Sequence, residues 1–207
     1  VNSVATIGAE AFRDCSKLTS IELGKSVAII GTEAFRGCSA LTTVNLGENL
    51  VTIDTGAFMF CGELSGELVI PDSVTSIGSS AFSGCSNLKE IQIPANVTYI
   101  GYSAFQDCAS LTEIILPDGL SYISSGCFQR CTALKEIVIP RGVARIDSSA
   151  FRDCVSLTSV SLSSGLVMID AQAFYNCTSL NGINIPDGTT TIGYEAFKNC
   201  TSLKSAS

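Results

Sequence analysis

Residues 88–110 read LKEIQIPANVTYIGYSAFQDCAS, and the recurrence of this stretch decides the fold. Ile91 and Ile93 alternate with open positions, the period of two expected of a strand with one buried face. Pro94 ends that strand, because proline has no N–H with which to continue a ladder. Asn96 suits the turn before Val97. Val97 and Ile100 then point inward again, and Ala104 with Phe105 is expected to close the unit through a short helical or 3₁₀ turn, tightened by Asp107 ahead of Cys108.

Outward from this unit the same letters return along the whole chain. Phe12, Phe35, Phe58, Phe82, Phe105, Phe128, Phe151, Phe174 and Phe197 are spaced by 23 residues, with a single 24 between Phe58 and Phe82. A Cys follows each Phe by three positions, from Cys15 to Cys200, and a Leu follows each Cys by three, from Leu18 to Leu203. Pro71, Pro117, Pro140 and Pro186 repeat the strand stop, while Gly24, Gly47 and Ser163 replace it. The residue before Cys is Asp, Asn or Gly in most copies, with Phe60 and Arg130 as exceptions. The extra residue near positions 61–68 is expected to be absorbed as a bulge or a longer turn, since the register resumes at once.

A unit of this size cannot bury its apolar face alone, so units must stack. Stacking at strand spacing, about 4.7–4.9 Å, merges them into columns of Leu, Ile, Val, Phe and Cys. That arrangement accounts for a chain of 207 residues that is 46% hydrophobic and only 15% charged. The expected fold is a repeat solenoid of about eight to nine 23-residue coils, with short strands and short helical or 3₁₀ turns, forming one domain over residues 1–207. Neither end carries a polar cap, so the expectation is a segment of a longer protein without its caps.

Composition narrows the function. A net charge of −7 with 12 scattered basic residues argues against a nucleic-acid footprint. There is no His, which removes His-based acid/base chemistry, Ser-His or Cys-His nucleophiles and His-containing zinc sites. Columns of repeated residues do not converge as a catalytic constellation must. No catalytic residue, cofactor or metal is therefore expected, nor insertion into a membrane, because no apolar run is long enough to span one.

The pattern IPxxVxxIgxxAFxxCxxL, carried by Ile93, Pro94, Val97, Ile100, Gly101, Ala104, Phe105, Cys108 and Leu111, resembles the BspA-like leucine-rich-repeat family. Cys127 in place of Ala, and Thr189 in place of Val, are mild departures. The resemblance implies a right-handed leucine-rich-repeat solenoid in a secreted or cell-surface protein. It also implies adhesion to host or matrix proteins or to other cell-surface proteins. The expected module is monomeric and non-catalytic; the alternative is a structural spacer presenting another domain.

Three sets of residues are candidates for more than packing. Nine of the ten cysteines occupy one repeated position and Cys127 one otherwise held by Ala, and they read as buried free thiols acting as small hydrophobes, against an incidental disulfide or metal. On the first strand, Glu67, Glu90, Glu113 and Glu136 form a same-charge column, beside Val69, Gln92, Ile115 and Val138. Stacked like charges destabilise a sheet, and the apolar residues beside them do not serve the core. The pair of columns reads either as a protein-binding face or as a solvated sheet face. On the second strand Tyr99, Tyr122, Arg145 and Met168 form a ladder that is structural or a second contact patch. Asn96, Asn176 and Asn199 begin glycosylation sequons that matter only in a eukaryotic secretory host.

Overall fold

The computed structural model describes residues 3–65 and 67–207. Most coils contribute two short strands that pair in parallel with the same strands of a neighbouring coil. The VxxI strands form a five-stranded sheet of Thr6–Ile7, Ile29–Ile30, Thr52–Ile53, Ser76–Ile77 and Tyr99–Ile100. A four-stranded sheet of Tyr122–Ile123, Arg145–Ile146, Met168–Ile169 and Thr191–Ile192 continues it. The LxxIxI strands form three separate pairs: Ser20–Glu22 with Thr43–Asn45, Leu68–Val69 with Ile91–Gln92, and Glu136–Val138 with Ser159–Ser161. Where the extra residue is expected, Gly66 lies outside the described residues, and the register is regained with Leu68 opposite Ile91.

The core is a set of one-residue columns. The rings from Phe12 to Phe197 stack in order, with centroids 5.1 to 5.6 Å apart and planes within 12° of parallel. That spacing lies within the range in which aromatic pairs attract. Phe35 through Phe174 are buried, whereas Phe12 in the first coil is 41% exposed.

The Ala-Phe segment is not the short helix or 3₁₀ turn expected of it. Its N–H groups alternate between two kinds of partner. Ala34, Arg36 and Cys38 donate three residues back, to Gly31, Glu33 and Phe35. Glu33, Phe35 and Gly37 donate instead to Thr55, Ala57 and Met59 of the next coil. Left-handed backbone occurs twice in the segment, at Glu33 (φ 53) and Gly37 (φ 72), as in successive type II turns. A helix requires unbroken negative φ and donors directed along its own axis. Stacking takes half of those donors, so the segment is a chain of tight turns. Even Phe60 and Arg130 adopt positive φ, at 63 and 60. Their N–H groups reach Ser83 and Arg152 of the next coil at 2.7 and 2.8 Å, which offsets a strain of about 1–2 kcal/mol each.

The cysteine column has a role beyond filling space. The Cys38 thiol donates to the Phe12 carbonyl at 3.1 Å, and the same bond recurs one coil on from Cys61 to Phe35. It continues to the Cys200 thiol on the Phe174 carbonyl. Each of these carbonyls also accepts the N–H of its own coil's Cys, so Cys supplies the second donor that a buried carbonyl can use. Eight of the ten cysteines are buried free thiols, Cys200 is half-buried and Cys15 is exposed. Burial pushes the Cys61 and Cys154 thiols up to about 12, and those of Cys85 and Cys131 well above the ordinary range. Because the thiolate is the nucleophile, a disulfide-exchange reagent at pH 8 will modify Cys15 quickly and Cys200 more slowly. The other eight will react only after denaturant is added. Rapid native reaction of most of them would contradict a buried thiol column.

Candidate binding face

Strand alternation places the two candidate columns on the outside of the LxxIxI face. Glu67, Glu90, Glu113, Glu136 and Gln92 are all exposed. Val69, Ile115 and Val138 are 52%, 82% and 67% exposed, while the residues just before them, Leu68, Ile114 and Ile137, are 1%, 7% and 2% exposed. Val69 stands opposite Gln92, and Glu136 opposite Ser159. The Gln92 amide donates to the Glu67 carboxylate, so a neutral donor lies beside the first carboxylate of the column.

The structure adds a feature that the column pattern does not contain. Residues 113–116 are not in a strand, and among the described residues their N–H and carbonyl groups make no backbone hydrogen bond. Ile114 and Leu116 are each only 7% exposed, so their side chains still serve the core while the ladder beside them stays open. The second face is interrupted at the same level, between Tyr99–Ile100 and Tyr122–Ile123. There the Ser124 hydroxyl donates to the Ile100 carbonyl. The N–H of Gly31 fills that place on Ile7. Phe105 is 5.6 Å from both Phe82 and Phe128, at the wide end of the column's range.

An open cleft of about 680 Å³ lies on the candidate face at this level. Ile93, Ile115, Leu116, Pro117, Val138 and Pro140 supply its apolar lining. Its charged lining is Glu113, Asp118 and Glu136, with no basic residue. The structure thus brings Glu113, Glu136, Ile115 and Val138 to one cleft, and leaves Glu67, Val69, Glu90 and Gln92 on the neighbouring coils outside its lining. Asp118 and Ile93 are absent from the column pattern. The run Glu113, Ile114, Ile115, Leu116, with an Ile at an open position, is the one signal that marks the place in the sequence.

On the VxxI face, Tyr122 pairs in register with Arg145, and Arg145 with Met168. The Arg145 guanidinium lies 5.3 Å from the Tyr122 ring centre and also bridges to Asp147. Burial pushes the Tyr122 hydroxyl up, with neighbouring Tyr99 and Tyr102 adding to it. Along the turn edge, Arg130 bonds Asp107 and holds that carboxylate below its usual range. No helix is long and apolar enough to cross a membrane among the described residues.

Two parallel-strand faces stacked around aromatic, aliphatic and thiol columns define the class, a parallel β-solenoid of about eight turns of 23 residues. The chain belongs to the BspA type leucine rich repeat family, whose repeat region matches residues 1–66, 63–167 and 122–207 in six copies. It is similar to a leucine-rich repeat protein from Bacteroides ovatus ATCC 8483, at 33% identity and TM-score 0.84, covering 98% of this chain and 58% of that one. It therefore spans a little over half the length of that relative. It is also similar to the Treponema pallidum leucine rich repeat protein, at 26% identity and TM-score 0.61, over 97% of this chain and 72% of that one. A leucine rich cell surface protein from Faecalibacterium prausnitzii A2-165 has 25% identity and TM-score 0.57, over 93% of this chain and 64% of that one. Among curated proteins, none matches the chain.

Proposed function

We propose that this chain is a non-catalytic, protein-binding module of the adhesion type, displayed outside the cell or at its surface. It acts as a monomer on host, matrix or other cell-surface proteins. The observation that carries the reading is the LxxIxI face, where Val69, Ile115 and Val138 are exposed beside the column of Glu67, Glu90, Glu113 and Glu136. Apolar side chains there add nothing to the core, and the carboxylates repel one another, so the face is retained at some cost to stability. The likeness to a cell surface protein from Faecalibacterium prausnitzii supports the location.

A panel of matrix and cell-surface proteins, with the wild-type chain beside a variant carrying Gln at all four glutamate positions, tests the reading. The variant should fold as well as wild type or slightly better. It should lose about tenfold in association rate at low ionic strength, where steering by opposite charge is strongest. Equal capture by both proteins across a salt series would remove this face from consideration. The regular ring column running from Phe12 to Phe197 favours a second reading, a stiff spacer that presents another domain. Capture by the full-length parent but not by this chain would establish that role instead.

A further inference from the structure

We infer that the cleft around Ile115 is the anchor of the binding face, and that its occupant is an extended, basic segment of a protein partner in which apolar side chains alternate with Lys or Arg. This rests on the reading of the face as a protein-binding surface and narrows it to one level of the solenoid and one partner chemistry.

Four observations converge on that level. Among the described residues Ile115 is the most exposed of the large apolar side chains, at 82%, and Val138 one coil on is 67% exposed. Between them the ladder is unzipped, since residues 113–116 pair with neither neighbouring coil. Their main-chain groups are the ones a partner's main chain can take up. The cleft formed there is apolar along its length, with Ile93, Pro117 and Pro140 completing the wall. Its charged rim is uniformly acidic, with Glu113, Asp118 and Glu136 and no base. Among the described residues none of these three carboxylates is in an ion pair, so their charge is available to a partner.

The fit dictates the chemistry of the occupant. An apolar slot with an acidic rim rejects acidic and nucleic-acid partners by like charge and gains little from a neutral sugar. An extended peptide presents side chains alternately to opposite sides at about 3.3 Å per residue. Apolar residues can therefore enter the slot while Lys or Arg reaches the rim, with desolvation at the centre and charge at the edge as in ordinary interface anchors.

The test uses the whole chain and three fluorescent seven-residue peptides: one alternating Lys with Val, one alternating Glu with Val, and one alternating Lys with Ser. The Lys/Val peptide should bind, at least about tenfold more tightly than either of the others. Ile115→Ser and Val138→Ser should each weaken it by about tenfold or more. Both side chains are largely in solvent, so these variants should melt at the wild-type temperature. Glu113→Gln with Glu136→Gln should weaken binding and flatten its salt dependence, whereas Glu67→Gln with Glu90→Gln should change it less than threefold or so. Equal binding of the Lys/Ser peptide, or wild-type affinity in Ile115→Ser, would overturn the cleft. If Ile115→Ser still captures protein partners while the four-Gln variant does not, the anchor is wrong and the binding face stands. If neither variant loses capture of a partner that the wild type binds, the face reading falls with it.

Discussion

Replacing Phe105 by alanine will lower the stability of this solenoid by about 3–5 kcal/mol, the usual cost of emptying a buried aromatic site. Phe105 is fully buried and stacks on Phe82 and Phe128 at 5.6 Å. At this level both strand ladders are interrupted, so the core columns and the turn hydrogen bonds hold the coils together. In a repeat array each coil is stabilised by its neighbours, and damage in the middle uncouples the two ends. Denaturant unfolding of Phe105→Ala should therefore show a lower midpoint and a broadened or divided transition. Phe105→Leu should recover most of the loss. Phe12→Ala, at a site already 41% exposed, should cost much less. Equal losses for Phe12→Ala and Phe105→Ala would mean that the ring column is not the core.

The chain will also unfold in mild alkali, and the thiol column is the cause. Burial holds Cys61 and Cys154 protonated up to about 12 and raises Cys85, Cys108, Cys127, Cys131 and Cys177 in the same direction. In the unfolded chain these thiols ionise near pH 8.5. Below that pH both states hold the proton and the folded state keeps its full stability. Above it the unfolded chain binds fewer protons, and stability falls by about 1.4 kcal/mol per pH unit for each such thiol until the folded value is reached. Against a typical stability of 5–15 kcal/mol, a few thiols acting together over one or two pH units are enough to unfold the molecule. Tyr122, raised by burial, acts in the same direction. Melting temperatures should be flat from pH 6 to 8 and drop steeply between about pH 9 and 11. In Cys61→Ala and Cys154→Ala the slope should be shallower by about 1.4 kcal/mol per pH unit each, whatever the starting stability. An unchanged slope would show that the thiols do not control the transition.

Much of this molecule is legible in one repeat, because what determines a coil is local and is written nine times. The alternation around Ile91 and Ile93, the stop at Pro94 and the Phe105 and Cys108 positions specify strand, turn and core columns without knowledge of distances between coils. The exposed columns of the candidate face follow from the same alternation, and Glu67, Glu90, Glu113, Glu136, Val69, Gln92, Ile115 and Val138 are all exposed as expected. The turn segment was not legible. Glu33 and Ser103 carry no mark of left-handed backbone, and they adopt it because stacking captures their N–H groups in the next coil. Nor does a column of cysteines reveal that its thiols from Cys38 to Cys200 meet the phenylalanine carbonyl of the preceding coil, as Cys61 meets Phe35 and Cys108 meets Phe82. The cleft at Ile115 depends on whether residues 113–116 come close enough to the flanking coils to pair. Hydrogen bonds fall off over a few tenths of an ångström, a margin set by how all the columns pack together. A repeat therefore determines which residues face inward, and only the assembled stack decides where neighbouring coils fail to close.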